Sequence, residues 1–416
     1  MIYFIRKIFP VFFLLLSILI LFYTYYRSEI IWQGNNRNNF LIYYIISIIF
    51  ICLSLISFNK KIKDYLIILF LTLGFCFYGF EIYLIQNDSD RDKYIEYKKN
   101  LSFYKNVAVK FSPFKSIKSN AEFLPLSGIS NSKTVNCNEN GYYMIYDSDR
   151  YGFNNPDYEW DNVDVEYILI GDSFTHGSCV NRPNDISSVL RNLSKKPVIN
   201  LGYGANGPLL TYASLREFFK KNTNKILWLY YEGNDLDGLK FELKNNLLLK
   251  YINNESFSQN LKNNQDLTNS ILRKKIKYSL DKYTLKNQII RFVTLVNSRT
   301  FIKSNLKNNI ILKQERDYES FKKIFELKRY YAEKNNSKLY FIYLPTFERY
   351  LENYDNTDYE MIKNIVSKSN VPFIDIHKEV FLKEKNPLSL FPSKSGGHYT
   401  VQGYKKIAEA IYMLTN

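Results

Sequence analysis

Four short segments, far apart in a chain of 416 residues, carry groups suited to acyl transfer. The first is Gly171-Asp172-Ser173-Phe174-Thr175-His176-Gly177. A serine hydroxyl becomes a nucleophile when a base within hydrogen-bond reach takes its proton, and the oxyanion that follows needs donors already in place. Ser173, on a tight turn between a strand-like run and a helical one, has the exposure a nucleophile needs. The second segment, Asn200-Leu201-Gly202-Tyr203-Gly204-Ala205-Asn206-Gly207, is a glycine turn that offers backbone N–H groups. The third, Glu232-Gly233-Asn234-Asp235, offers the side-chain amide of Asn234. The fourth, Gly396-Gly397-His398-Tyr399, places an imidazole just before a helical pattern, as a candidate general base. The competing readings are a helix N-cap for Ser173, a capping histidine for His398 and a plain turn residue for Asn234. Asp172 and Asp235 read as turn braces, His176 as structural or substrate-facing, and His377 as a surface residue.

These segments need a scaffold that brings them together. Strand-like apolar runs occur at Val165–Ile170, Pro197–Leu201, Lys225–Tyr231, Lys338–Leu344 and Val371–Ile376. Helical patterns lie at Pro208–Lys221, Asp317–Asn335 and Val401–Leu414, the first opening on a proline. Alternation of this kind predicts an α/β fold with a mostly parallel sheet covered on both faces. Ligands then bind beyond the carboxyl ends of the strands, where the first three segments fall. From Leu236 to Leu312 the alternation stops, and helical spacing predicts an insertion over about 236–312. The polar-aromatic stretch Tyr146–Trp160 reads as packing against the sheet or lining a glycan-binding rim.

The slightly hydrophilic average hides a sharp division. Ile8–Tyr26, Phe40–Phe58 and Tyr65–Phe80 are uncharged runs, the last extended past Glu81 to Ile85. About 20 helical residues cross a hydrocarbon core, so three transmembrane helices are predicted at about 8–26, 40–58 and 65–85. The third is the weakest, with Glu81 near an interface or facing a neighbouring helix. Tyr23, Tyr25, Tyr26 and Trp32 have the makings of an interfacial aromatic belt. No small-residue cleavage pattern follows the first run, which argues against a removed signal peptide. Arg6 and Lys7, with Lys60, Lys61 and Lys63, outweigh Arg27 and Arg37. Positive-inside counting therefore puts the N-terminus inside and everything after Gln86 outside the cytoplasm. The organisation read from the sequence is a membrane part over 1–86, a connector over 87–135 and an α/β domain over 136–416.

The formal charge is +16, of which seven basic and three acidic residues up to Gln86 leave +12 for the remainder. Lys and Arg are dispersed, with no zinc-finger spacing, recognition helix or basic arm, which argues against nucleic acid as a partner. Apolar residues make up 46% of the chain and charged residues 23%, so a large core is available and disorder is excluded as the main state. Cys52 and Cys76 fall in the apolar runs, whereas Cys137 and Cys179 are candidates for a disulfide if their part lies in an oxidising compartment. Three histidines and two cysteines in the remainder give no metal-ligand spacing, and no cofactor motif is present.

From about Tyr142 onward the sequence resembles the SGNH (GDSL) hydrolases, with GDSFTHG, NLGYGANG, EGND and GGHYTVQGY in family order. The resemblance implies a flavodoxin-like three-layer sandwich and ester or acyl chemistry. It implies Ser173 as nucleophile and His398 as base. It also implies an oxyanion hole formed by the Ser173 backbone, the Gly204 or Ala205 turn and the Asn234 side chain. Three departures stand out. Ser395 replaces the acid usually three residues before the histidine, so that a backbone carbonyl orients His398, or a distant carboxylate such as Asp375 substitutes, or activity is low. Glu232 stands where a glycine usually precedes the Asn-Asp pair. Ala205 stands where the family usually has glycine, and its backbone donor survives there if φ is negative. Expected functions are a membrane-anchored serine esterase or deacylase of a bacterial inner membrane, its catalytic domain on the periplasmic side, acting on an acylated carbohydrate or small ester. An O-acyltransferase using the same Ser-His site and a non-catalytic glycan-binding scaffold are the alternatives.

Overall fold

The computed structural model describes residues 2–31, 33, 37–113, 122–308, 316–392 and 396–416. Trp32 and Ser395, both singled out in the sequence, lie outside them. The chain divides into two compact units. One joins Met1–Asp88 with Gln288–Ile310, and the other joins Ser89–Asn287 with Ile311–Asn416. The outer part of the expected insertion thus belongs with the N-terminal unit rather than with the α/β domain.

In the N-terminal unit, α1 (Ile2–Tyr25) continues into a π-helical turn, Tyr26–Ile31, and is followed by α2 (Arg37–Ile56) and α3 (Lys60–Gln86). Ser17 and Ser47 exchange hydroxyl–carbonyl bonds across α1 and α2. Ser54 donates to the Pro10 carbonyl. The Phe13 ring packs on Phe50 and Phe70, and Arg6 pairs with Asp64 at 2.7 Å. Among the described residues, two helical stretches are long and apolar enough to cross a membrane, Arg6–Ile31 and Lys60–Gln86. This corrects the expectation of three. The middle apolar helix, Phe40–Ile56, is shorter, because α2 ends at Ile56, two residues before the apolar run does. The third run is not the weak one. Asn59 caps Lys61 and Ile62, and α3 then runs unbroken for 27 residues through Glu81.

The second unit opens with α4 (Ser89–Leu101) and a small sheet of β1 (Val107–Val109), β2 (Lys133–Val135) and β3 (Ile145–Asp147). Within the segment read as a connector, α4, β1 and β2 are regular elements. The main sheet comprises β4 (Val165–Gly171), β5 (Val198–Asn200), β6 (Thr223–Tyr231), β7 (Lys338–Leu344) and β8 (Phe373–Asp375), all parallel, in the order β5-β4-β6-β7-β8. The described helices that follow α4 are α5 (Ser173–His176), α6 (Ile186–Ser194), α7 (Pro208–Phe218), α8 (Asp235–Glu242), α9 (Asn246–Asn253), α10 (Gln265–Asp281), α11 (Leu285–Val293), α12 (Val296–Asn308), α13 (Tyr318–Lys334), α14 (Thr357–Ser367), α15 (Ile376–Glu379) and α16 (Val401–Thr415). Ile168, Ile170, Trp228 and Phe341 bury one face of the sheet against α7, α13 and α14. Tyr167, Leu169, Leu227 and Ile342 bury the other against α6 and α16. This is a three-layer, doubly wound arrangement with strand order 2-1-3-4-5. Its topological switch point lies beside its first strand, β4, and a crevice is expected there.

A buried carboxylate supports the edge of that crevice. Glu242 accepts N–H bonds from Gly207 (2.6 Å) and Leu209 (2.8 Å), satisfying the first turn of α7. Burial outweighs those bonds and lifts its pKa from the ordinary 4.5 to about 7. A carboxyl with a raised folded pKa stabilises fully below pH 4.5, and that contribution is lost as pH rises to 7, on the order of 3 kcal/mol. Glu242→Gln is expected to flatten this part of the stability–pH curve. Urea unfolding in detergent at several pH values, followed through Trp160 and Trp228 fluorescence, checks it. An unchanged slope would remove Glu242 from the account.

Candidate active site

Strand β4 ends at Gly171, where a Cβ would collide with Thr175 and the Leu229 carbonyl, so the chain turns directly into α5. The N-cap of α5 is Asp172, whose Oδ1 accepts the Phe174 N–H at 2.8 Å. That excludes the N-cap reading of Ser173. From Gly171 to Val180 only Ser173 is not fully buried. Its Oγ donates a long bond of 3.4 Å to Asp172 Oδ2, and among the described residues no hydrogen bond joins it to His398. Burial raises the pKa of Asp172 and, more strongly, that of Asp235, which accepts the Tyr231 N–H at 3.1 Å. Both carboxyls brace turns.

The Phe174 ring brings three of the segments together. It stacks on Tyr231 at the end of β6, with centroids 3.8 Å apart, and lies 4.8 Å from the His398 ring. His398 Nδ1 is 2.9 and 3.0 Å from the two carboxylate oxygens of Glu139, and the His398 N–H donates to Glu139 Oε2 at 2.6 Å. Gly397 has φ +94°, and a Cβ there would sit 2.6 Å from Glu139 Oε2, so a glycine is what lets the carboxylate approach. Burial raises the Glu139 carboxyl, but the hydrogen bond and charge of His398 more than offset it and leave its pKa below the ordinary range. An acid on Nδ1 fixes the tautomer and leaves Nε2 as the basic nitrogen.

Glu139 thus fills the place left empty by Ser395, and it comes from far upstream of the histidine. Asp375 is engaged elsewhere, accepting from the Tyr359 hydroxyl at 2.7 Å and capping α15. Sequence reasoning missed Glu139, although a signal existed. Cys137 stands two residues before it, and Cys179 six residues after Ser173. The two cysteines are joined by a disulfide with Cα atoms 5.1 Å apart, and Cys179 Sγ lies 3.4 Å from His398 Nδ1. This crosslink ties the acid-bearing segment to the nucleophile loop. The ligand atoms of Cys137, Glu139, Cys179 and His398 all lie within 4.8 Å of one another. Joined sulfurs, however, have no thiolate to offer a metal.

The residues expected to donate to an oxyanion divide unequally. Gly204 is buried, its carbonyl accepts the Ser112 hydroxyl at 2.5 Å, and a Cβ built on it would lie 3.9 Å from Ser173 Cβ. Ala205 is exposed with φ +60°, so the condition of a negative φ is not met. A left-handed alanine costs roughly 1–2 kcal/mol, and the tight turn between β5 and α7 imposes it. Gly204 is therefore the residue of the turn that faces the nucleophile. Asn234 occupies the N-cap of α8, yet its side chain caps nothing and is exposed, leaving its amide uncommitted. Glu232, in the family's glycine position, is buried in an ion pair with Arg349 and also accepts from Tyr343 (2.6 Å) and the Thr346 N–H (2.7 Å). It ties the end of β6 to the exit of β7.

His176 does not face substrate. It is buried between Tyr146 and Tyr203, its ring nitrogens unbonded, and burial pushes its pKa well down. His377 is half-buried and bonded to Tyr350 at 3.0 Å, not simply on the surface. Lys110 is a further residue with no local pattern to mark it. Its Nζ donates to Ser178 Oγ at 3.0 Å, lies over the Tyr203 ring and would stand 3.2 Å from a Cβ on Gly204. Burial lowers its pKa to about 7, leaving an amine near the oxyanion turn that changes charge around neutrality.

No family model and no curated protein matches the chain. Among solved structures it is similar to a G-D-S-L family lipolytic protein from Desulfitobacterium hafniense (16% identity, TM-score 0.33, 60% of this chain and 99% of that one). It is similar to a G-D-S-L family member from Veillonella parvula (12% identity, TM-score 0.34, 60% of this chain and 97% of that one). A third is the acetyl xylan esterase AlAXEase (11% identity, TM-score 0.33, 61% of this chain and all of that one). With TM-scores this low, the roles proposed for Ser173, His398, Glu139 and Asn234 rest on the geometry of this chain.

Proposed function

We propose that the chain is a serine esterase of the SGNH type, anchored in a membrane by its N-terminal helices and acting on the O-acyl ester of a carbohydrate. The observation that carries this reading is the Glu139–His398 pair, packed on Phe174 next to Ser173, the one residue from Gly171 to Val180 that is not fully buried. His398 Nε2 takes the Ser173 proton as Oγ attacks the ester carbonyl. The oxyanion is received by the N–H groups of Ser173 and Gly204 and by the Asn234 amide. His398 then protonates the leaving alcohol, and a water activated by the same nitrogen resolves the acyl-enzyme. Glu139 removes the observation that favoured a non-catalytic scaffold, the absence of an acid.

The disulfide supports an extracytoplasmic setting, since such bonds persist in oxidising compartments. The apolar, exposed faces of α1 and α3 support the anchor. In detergent, a fluorophosphonate probe is expected to modify the peptide containing Ser173, and acetate is expected to appear from an acetylated glycan. Absence of both labelling and acetate release would sink the esterase reading. Transfer of the acetyl group to an added sugar without free acetate would replace it with acyl transfer.

A further inference from the structure

We propose that α11 and α12 form a hairpin seated in one leaflet of a lipid bilayer beside α3, with anionic phospholipid headgroups as its partner. The inference rests on the membrane reading of α3 and is independent of the chemistry at Ser173. Within the N-terminal unit, the segment from Gln288 onward docks on the last third of α3. The Tyr78 hydroxyl donates to the Val293 carbonyl at 3.0 Å. Tyr78 packs on Phe292, and Phe80 packs edge-on against Phe301. Tyr78 and Glu81 precede Gln86 by eight and five residues, so the tip of the hairpin lies about 8–12 Å inside the end of α3 at 1.5 Å per residue. Half a hydrocarbon core is about 15 Å.

Glu81 explains how such a hairpin can exist there. It is fully buried in an otherwise apolar run, Tyr65–Ile85, where an unpartnered carboxylate would be costly. Its two oxygens accept from the Asn297 N–H (3.0 Å) and side-chain amide (2.9 Å), and from the Ser298 N–H (2.7 Å) and hydroxyl (2.6 Å). Those N–H groups belong to the first turn of α12, which has no partners within its own helix. In lipid, unsatisfied backbone donors are not tolerated, and irregular backbone survives only when protein satisfies it. The carboxylate and the helix start therefore meet each other's need at membrane depth, a need that water would otherwise fill.

Among the described residues, α11 and α12 leave five large apolar side chains exposed. Ile289, Ile290, Val293, Phe301 and Ile302 are 55, 49, 59, 46 and 45% exposed. They continue the exposed apolar surface of α3 (Leu71, Phe75, Ile82), which argues for lipid as the occupant. Arg299 and Lys303, exposed on α12, have the sign that suits phosphate headgroups.

The test uses the full chain in vesicles of phosphatidylcholine and phosphatidylglycerol, with Cys52 and Cys76 replaced by serine. A bimane label is placed at Val293→Cys, with Leu71→Cys on α3 and Tyr278→Cys on α10 as references. The label at 293 is expected to lose most of its emission to lipids carrying a nitroxide on the acyl chain, as at 71, and to be shielded from iodide, unlike 278. Adding Glu81→Ala is expected to shift 293 toward iodide access. Iodide quenching at 293 without nitroxide quenching overturns the proposal in favour of a water-facing surface. Protection from both quenchers that disappears when the protein is diluted in lipid overturns it in favour of a second copy of the chain.

Discussion

Replacing Ser173 with alanine is expected to lower kcat by about 10⁴–10⁶-fold while leaving stability within about 1 kcal/mol of the parent. The two halves of that expectation have separate grounds. The loss follows from removing the nucleophile, after which only the oxyanion donors and substrate binding remain to accelerate hydrolysis by water. The small effect on stability follows from what Ser173 does not do. It is not the cap of α5, because Asp172 performs that task, and its hydroxyl is half-buried with one long bond of 3.4 Å. Asp172, by contrast, is fully buried and holds the Phe174 N–H, so its removal would damage the loop itself. Acetate release and thermal unfolding, measured on the same preparations, read the two quantities. Full activity in Ser173→Ala would end the serine mechanism.

Glu139→Gln is expected to lower kcat by about 10²–10⁴-fold with little change in KM. The carboxylate accepts from His398 Nδ1 and from its backbone N–H, which fixes the tautomer that leaves Nε2 basic and stabilises the imidazolium formed after attack. A glutamine keeps the shape but can present an N–H to Nδ1, favouring the wrong tautomer, and it carries no charge. Glu139→Asp is expected to recover part of the loss, because the charge returns with a shorter reach. A purely structural role for Glu139 would appear differently, as a fall in unfolding temperature in both variants and no change in the pH profile. Since His398 holds the Glu139 carboxyl below its usual range, the acid limb of the parent profile should not report titration of Glu139. Full activity in Glu139→Gln would remove Glu139 from the mechanism.

Much of this arrangement was legible in the residue order. Each of the five main strands is a short apolar run closed by a turn, and local patterning is enough to mark such runs. The four polar segments could be placed at strand ends for the same reason, because each directly follows or precedes a periodic element. Ser173, Asn234 and His398 therefore needed no coordinates to be singled out. Nor did α3, once Asn59 is recognised as its cap, although the shorter middle helix was overestimated because Phe40–Phe58 overruns the end of α2 by two residues.

What the tertiary structure decided depends on closures between distant parts of the chain. Glu139 and His398 are 259 positions apart, and no local pattern links them. Their pairing depends on the Cys137–Cys179 crosslink and on a glycine at 397 that lets the carboxylate in. The choice of Gly204 over Ala205 as the residue facing Ser173 depends on which side of one turn meets β4, and the burial of His176 on two tyrosines from other segments. Helices α11 and α12 follow the same rule, since their spacing announces helices but not that Glu81 will hold the start of α12. Periodicity is a property of neighbours along the chain, whereas the partner of a buried charge is chosen by whatever the fold brings within hydrogen-bond distance.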